Sequence, residues 1–81
     1  MNIENLNETA IDDFYINIGK NVKKQRELKG LTQLQLSQAL GFKSVGLVSQ
    51  SELYLKKQHF NLKHLFLISV VLECEIEEFF R

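Results

Sequence analysis

Apolar residues recur along this chain at spacings of three and four, not two. Ile11, Phe14, Tyr15, Ile18 and Val22 share one side of a 3.6-residue period and predict a single amphipathic helix over residues 9–29. Thr9 followed by Asp12 resembles a capping box with Asp in place of Glu or Gln. Gly30 is placed to stop the helix in a left-handed conformation. Gly19 inside it weakens it by up to about 1 kcal/mol relative to Ala. Thr32 then caps a second helix, its hydroxyl available to a free N–H near Gln35. Leu36, Ala39 and Leu40 form the buried stripe of that helix, and Gly41 ends it. Ser44 caps a third helix running to about Tyr54, with Val48 and Ser51 inward. Asn61 caps a fourth, whose core face is Leu62, Leu65, Ile68, Ser69 and Leu72. A last short helix covers Ile76 to Phe80. With no proline and 4 glycines, β-rich architectures and long loops are disfavoured. The pattern predicts an all-α bundle of five helices.

Length makes this one domain with a modest core: 81 residues bury only part of their apolar surface. Residues 1–15 read as an N-terminal extension, helical and continuous with the first helix, and 16–81 as the domain proper. No run of about 18 apolar residues occurs, and Met1 to Asn5 lacks the basic and apolar regions of a secretory signal. Cys74 is the lone cysteine and reads as a small hydrophobe in a reducing compartment. The expectation is a soluble, cytoplasmic protein with no membrane partner.

Charge changes the picture. The formal net charge is +0, yet acidic residues gather at both ends: Glu4, Glu8, Asp12 and Asp13 at one, Glu73, Glu75, Glu77 and Glu78 at the other. Between them lie Lys20, Lys23, Lys24, Arg26, Lys29, Lys43, Lys56, Lys57 and Lys63, against Glu27 and Glu52 alone. A basic centre is cancelled by acidic ends, the distribution of a protein that can meet phosphates along its middle.

Gly30 to Phe42, followed by Ser44 to Glu52, outlines helix, tight turn, helix, a unit whose second helix can enter a DNA major groove. The segment Ile18-Gly19-Lys20-Asn21-Val22-Lys23-Lys24-Gln25-Arg26 with Gly30-Leu31-Thr32-Gln33 resembles the opening of the phage-repressor/Cro-like (XRE-type) helix-turn-helix family. Leu36-Ser37-Gln38-Ala39-Leu40-Gly41-Phe42 is similar to that family's second helix and turn, and Val48-Ser49-Gln50-Ser51-Glu52 to the body of its recognition helix. Asn61 to Leu72 and Ile76 to Phe80 match its closing helices. The resemblance covers about residues 16–80 and implies a compact five-helix bundle of the lambda-repressor-like DNA-binding type. The chain departs from the family pattern in one extra residue between Gly41 and Glu52, about two in Leu53 to Phe60, and a recognition helix without Arg or Lys.

The resemblance implies that Gln33, at the start of the second helix, contacts a DNA phosphate, and Thr32 beside it is read as phosphate-binding too. Ser44, Val45, Gly46, Ser49 and Gln50 are the candidates for base edges: Gln50 suits adenine, Val45 a thymine methyl, and Ser49 either a donor or an acceptor. Lys43, Lys56, Lys57 and Lys63, with Asn61, would hold the backbone. Arg26 and Glu52 occupy positions that the family uses for a buried ion pair, so both are read as structural.

Leu67, Val70 and Cys74 form a second apolar stripe on the fourth helix, with Phe79 and Phe80 nearby. Either Ile11, Phe14 and Tyr15 fold back over them, or they form a homodimer interface. A dimer would place two recognition helices about one DNA turn apart on a pseudo-palindromic operator.

Catalysis is not expected. His59 and His64 lack companions for a metal site, Glu77 and Glu78 are adjacent and point to different sides, and no glycine-rich phosphate loop is present. No cofactor is expected. The reading is a DNA-binding transcriptional regulator, a repressor acting on double-stranded DNA as a homodimer. The alternative is an antitoxin-like or partner-binding interaction module on the same scaffold.

Overall fold

Residues 2–81 are described in a computed structural model. Four α-helices follow one another: α1 (Ala10–Leu28), α2 (Gln33–Ala39), α3 (Gly46–Leu53) and α4 (Leu62–Leu72). Short 3-10 turns lie at Ile3–Asn5, Leu55–Lys57 and Ile76–Phe80, and there is no strand among the described residues. The fold class is the expected all-α bundle. The expected fifth helix is instead the last of these 3-10 turns. Three residues per turn bring Ile76 and Phe79 onto one side, and Phe79 is fully buried. Asn21 on α1 holds this segment by donating from Nδ2 to the Phe79 carbonyl at 3.0 Å.

Helix ends explain the segmentation. Gly30 (φ +72°) closes α1: its N–H reaches the Glu27 carbonyl and the Leu31 N–H reaches that of Arg26. Gly41 (φ +84°) closes α2 in the same way, through Gln38 and Ser37. Both are Schellman endings, which need a left-handed residue. Glu73 takes this conformation at the end of α4 without being glycine. At the starts, Thr32 and Gln35 form a reciprocal capping box, as do Asn61 and His64.

Two expected caps are absent for physical reasons. The Thr9 hydroxyl donates to Asn7 Oδ1 at 3.2 Å, while Asp12 accepts from the Tyr54 hydroxyl and does not turn back to Thr9. Residues 2–9 therefore precede α1 rather than extending it. Ser44 does not cap α3: Val45 occupies the cap position with no side-chain bond, and its carbonyl accepts the Ser49 N–H at 2.9 Å.

Ile18, Val22, Leu36, Val48, Phe60, Leu65, Ile68, Leu72 and Phe79 form one core. Two stripe assignments change. Ala39 is exposed, because Leu36, Ser37 and Leu40 define the inward arc and Ala39 lies a quarter-turn away. Leu62 is also exposed. As the first residue of α4 it sits at the edge of the core arc, and helical side chains lean toward the N-terminus, here past the helix end. The second stripe is broken up as well, since Leu67 and Cys74 are half-buried and only Val70 faces solvent.

Gly19 carries a role that helix propensity alone does not reveal. A Cβ built there would lie 2.6 Å from the backbone carbonyls of both Ser51 and Glu52. The glycine thus lets α1 pass against the C-terminal end of α3. Gly19→Ala gains about 1 kcal/mol of helix propensity but forces the two backbones apart, at a cost of about 1–3 kcal/mol from overpacking. Urea denaturation is expected to show a net loss of stability. Ser51 Oγ is buried without a partner, so Ser51→Ala should be neutral or stabilising by about 1 kcal/mol in the same assay.

Candidate nucleic-acid interface

The Glu52 carboxylate is fully buried and organises the helix-turn-helix around itself. Arg26 donates to it from Nε at 2.7 Å and from Nη2 at 3.0 Å, a two-point fork. The amide nitrogen of Gln33 donates to Oε1 at 2.9 Å. Arg26 Nη1 donates to the Leu31 carbonyl at 2.8 Å, the same residue whose N–H completes the Schellman ending. One charge cluster thereby joins α1, the α1–α2 turn, the start of α2 and the end of α3. The hydrogen bonds to Glu52 hold the Arg26 guanidinium above its ordinary pKa, against the opposing effect of burial.

Around this anchor the predicted contact residues fall into distinct groups. Gln50 is exposed on α3 and Ser49 half-exposed. Ser49 Oγ donates to the Gly46 carbonyl at 3.2 Å, which leaves its oxygen free to accept a hydrogen bond. Ser44 is exposed just before the helix, and Val45 and Gly46 are half-buried at its start. Gln33 is no freely solvated glutamine: its amide is held by Glu52, leaving the second N–H of the NH₂ group for another acceptor. Thr32 and Asn61 are exposed, with side-chain oxygens engaged as caps at 3.0 Å and 2.7 Å.

The lysines divide. Lys43 and Lys56 are exposed, without an ion pair among the described residues. Lys57 Nζ stands 3.8 Å from Asp12 Oδ1. Lys63, in the first turn of α4, lines a groove with Phe14 and Phe80. Tyr54, Lys56 and Lys57 all adopt left-handed backbone, with φ of 56°, 52° and 61°. That run turns the chain sharply after α3 without the glycine or proline of the family loop.

Sequence reading missed two partners of this region. Tyr54 donates its hydroxyl to Asp12 at 2.7 Å, and this bond is the largest cause pushing its pKa up to about 12. His59 stacks on Tyr15 with ring centroids 4.0 Å apart. Asp12 lies 42 residues from Tyr54, so no local pattern marks the pair.

Two short helices joined by a tight turn, α2 and α3, locked from beneath by a buried Arg–Glu pair, have the arrangement of a helix-turn-helix protein. The sequence profile of the helix-turn-helix family matches residues 22–79, and the chain belongs to that family, in its XRE-type form. No curated protein matches the chain, and neither does any solved structure.

Removing one side of the clamp, as in Glu52→Gln or Arg26→Met, is expected to cost about 3–5 kcal/mol, because a buried charge is left unpaired. Chemical denaturation of each variant checks this. A second expectation concerns His64, whose pKa is lowered chiefly by burial and further by Lys63, while its Nδ1 accepts the Asn61 N–H at 3.1 Å. A lowered folded-state pKa means that the unfolded chain binds more protons. The His64 contribution is therefore complete above its ordinary value of 6.5 and is lost as pH falls below it. Melting curves should show this acid loss flattened in His64→Gln, since glutamine preserves the capping box.

Proposed function

We propose that this protein is a cytoplasmic transcriptional regulator, a repressor without catalytic activity or cofactor, that reads a pseudo-palindromic operator as a homodimer. α3 enters the major groove of double-stranded DNA. The observation that carries the reading is the clamp itself: Glu52 is buried and bonded to both α1 and α2, which fixes α3 while Gln50 stays exposed one and a half turns past Val45. Gln50 pairs with a base edge, with Ser49, Gly46, Val45 and Ser44 beside it. Thr32, Gln33 and Asn61 contact phosphate oxygens through the hydrogen-bonding capacity left over from their caps and clamp. Lys43, Lys56 and Lys57 supply the charge. With no Arg or Lys in Gly46–Leu53, affinity rests on phosphates and specificity on few contacts.

One observation favours the interaction-module alternative. Asp12, from the acidic N-terminal segment, sits against Tyr54 and Lys57, so negative charge reaches the end of the recognition helix.

Fluorescence anisotropy with fragments of the protein's own upstream DNA, beside random DNA, separates the two. If a dimer neutralises about 8 phosphates, log affinity should fall with log salt at a slope of roughly −7. Ser49→Ala/Gln50→Ala should abolish the preference for one fragment while keeping that slope. Lys56→Gln should weaken binding to every fragment alike. A folded protein that binds no fragment at low salt would exclude DNA reading and leave the interaction module.

A further inference from the structure

α4 spans Leu62–Leu72 and carries a single full charge, Lys63. Leu65, Ile68, Ser69 and Leu72 face the core. Leu62, at the edge of the core arc, and Phe66 and Val70, turned further from it, follow at intervals of four and are 75%, 60% and 60% exposed. A helix apolar on both sides is built to be covered on both. At its N-terminal end this stripe runs into a cavity of about 520 Å³ lined by Phe14, Ile18, Phe60, Leu62 and Phe80. Phe14 and Phe80 form its rim, 54% and 42% exposed, with ring centroids 6.3 Å apart. Ile11 adds a further exposed side chain one turn before Phe14. Together these six side chains present apolar area on the order of 700 Å², beyond the largest patch of an ordinary monomer and close to one side of a stable interface.

We propose that a second copy of this chain covers this surface, with the two α4 helices antiparallel about a two-fold axis level with Ile68, midway between Phe66 and Val70. The charges choose both the occupant and the direction. Lys63 flanks the stripe at its N-terminal end, and Glu73, exposed, flanks it just past its C-terminal end. An antiparallel pair sets each Lys63 beside the partner's Glu73, whereas a parallel pair would oppose like charges at both ends. Opposed helix ends favour the same direction. Each copy also supplies both a knob and a hole. With the axis midway between Phe66 and Val70, each Phe66 packs on the partner's Val70, and the reciprocal contact forms on the other side. That is the self-complementarity an isologous interface requires. Lys63 thereby serves this seam, and phosphate contact falls to Lys43, Lys56 and Lys57. The inference rests on the dimeric reading proposed above and gives it a surface. That surface differs from the Leu67, Val70 and Cys74 stripe, of which only Val70 is free to take part.

Light scattering of the full chain without DNA provides the test. The wild-type mass should be twice 9.4 kDa at micromolar concentration. Phe66→Glu should return it to a monomer with unchanged helical circular dichroism, since Phe66 supports no core contact. Lys63→Glu and Glu73→Lys should each weaken the dimer about tenfold or more, and the double reversal should restore it. Phe66→Cys/Val70→Cys in a Cys74→Ser background should form intermolecular disulfides on mild oxidation. A wild-type monomer, or a dimer indifferent to Phe66→Glu, overturns the proposal. A dimer whose charge reversals do not rescue each other overturns the antiparallel arrangement. The operator reading stands or falls separately: an intact dimer that binds no DNA would defeat that reading and leave this surface, and a monomer that reads one fragment would do the reverse.

Discussion

The Glu52 carboxyl group lies where water does not reach, and the arrangement of the first three helices follows from satisfying it. A dry carboxylate alone would be prohibitively unstable, so the chain surrounds it with donors from two other elements: the forked guanidinium of Arg26 and the amide of Gln33. Arg26 is itself tied to the Leu31 carbonyl, and the backbone of Leu31 is set by the left-handed Gly30. Each link depends on the one before it. The α1–α2 turn sets where the guanidinium can reach, the guanidinium sets where Glu52 can lie, and Glu52 sets the end of α3. Gly19 completes the geometry from the other side by allowing α1 to approach the Ser51 and Glu52 carbonyls. The surface that meets DNA in the proposed function is thus held from beneath by the Arg26–Glu52 pair, which takes no part in the contact itself.

This arrangement separates rigidity from recognition. Val48, Ser51 and Glu52 take up the inward side of α3, leaving Gly46, Ser49 and Gln50 without structural duties beyond one hydroxyl-to-carbonyl bond. Such positions can vary without disturbing the fold, because their side chains support nothing beneath them. Gln33 is the exception. Its amide braces Glu52, so a phosphate at that point would share a group already committed to the clamp, and DNA contact and clamp geometry would be coupled through one side chain.

The sequence made the scaffold legible where the determinants are local. Thr32, Gly30, Gly41 and Asn61 mark helix ends because capping and left-handed turns involve residues within four or five positions of one another. Core positions Ile18, Val22, Leu36, Val48, Leu65 and Ile68 were visible through periodicity. Arg26 and Glu52 were visible only through the family resemblance, since nothing in their spacing of 26 residues marks a pair. Where pattern and structure part, a local rule meets a long-range competitor. Asp12 suits a cap by its position, but Tyr54 claims it. Gly19 weakens a helix by propensity, yet it is a close contact between two helices. Leu62 has the period of a core residue but lies beyond the end of what the core covers. Within the candidate interface, exposure of Gln50 and Lys43 followed from the pattern, while Lys57 beside Asp12 did not.

The acidic ends take on meaning from where they fold. The N-terminal segment brings Asp12 to the far end of α3, and Glu73 in the C-terminal cluster occupies a left-handed position at the end of α4. A glycine there would relieve about 1 kcal/mol of backbone strain, so a carboxylate kept at that cost argues for a charge needed at that point. Along α4 the only full positive charge is Lys63, at the opposite end of the same exposed side. With Lys63 before Phe66 and Val70 and Glu73 after them, the charges match a reversed copy of the helix, whereas a parallel copy would set like charges together. The zero net charge of the chain is therefore a sum of separately placed groups: a basic middle, an acidic group braced against the end of α3, and, in the proposed dimer, a seam whose two charges would answer each other across a two-fold axis.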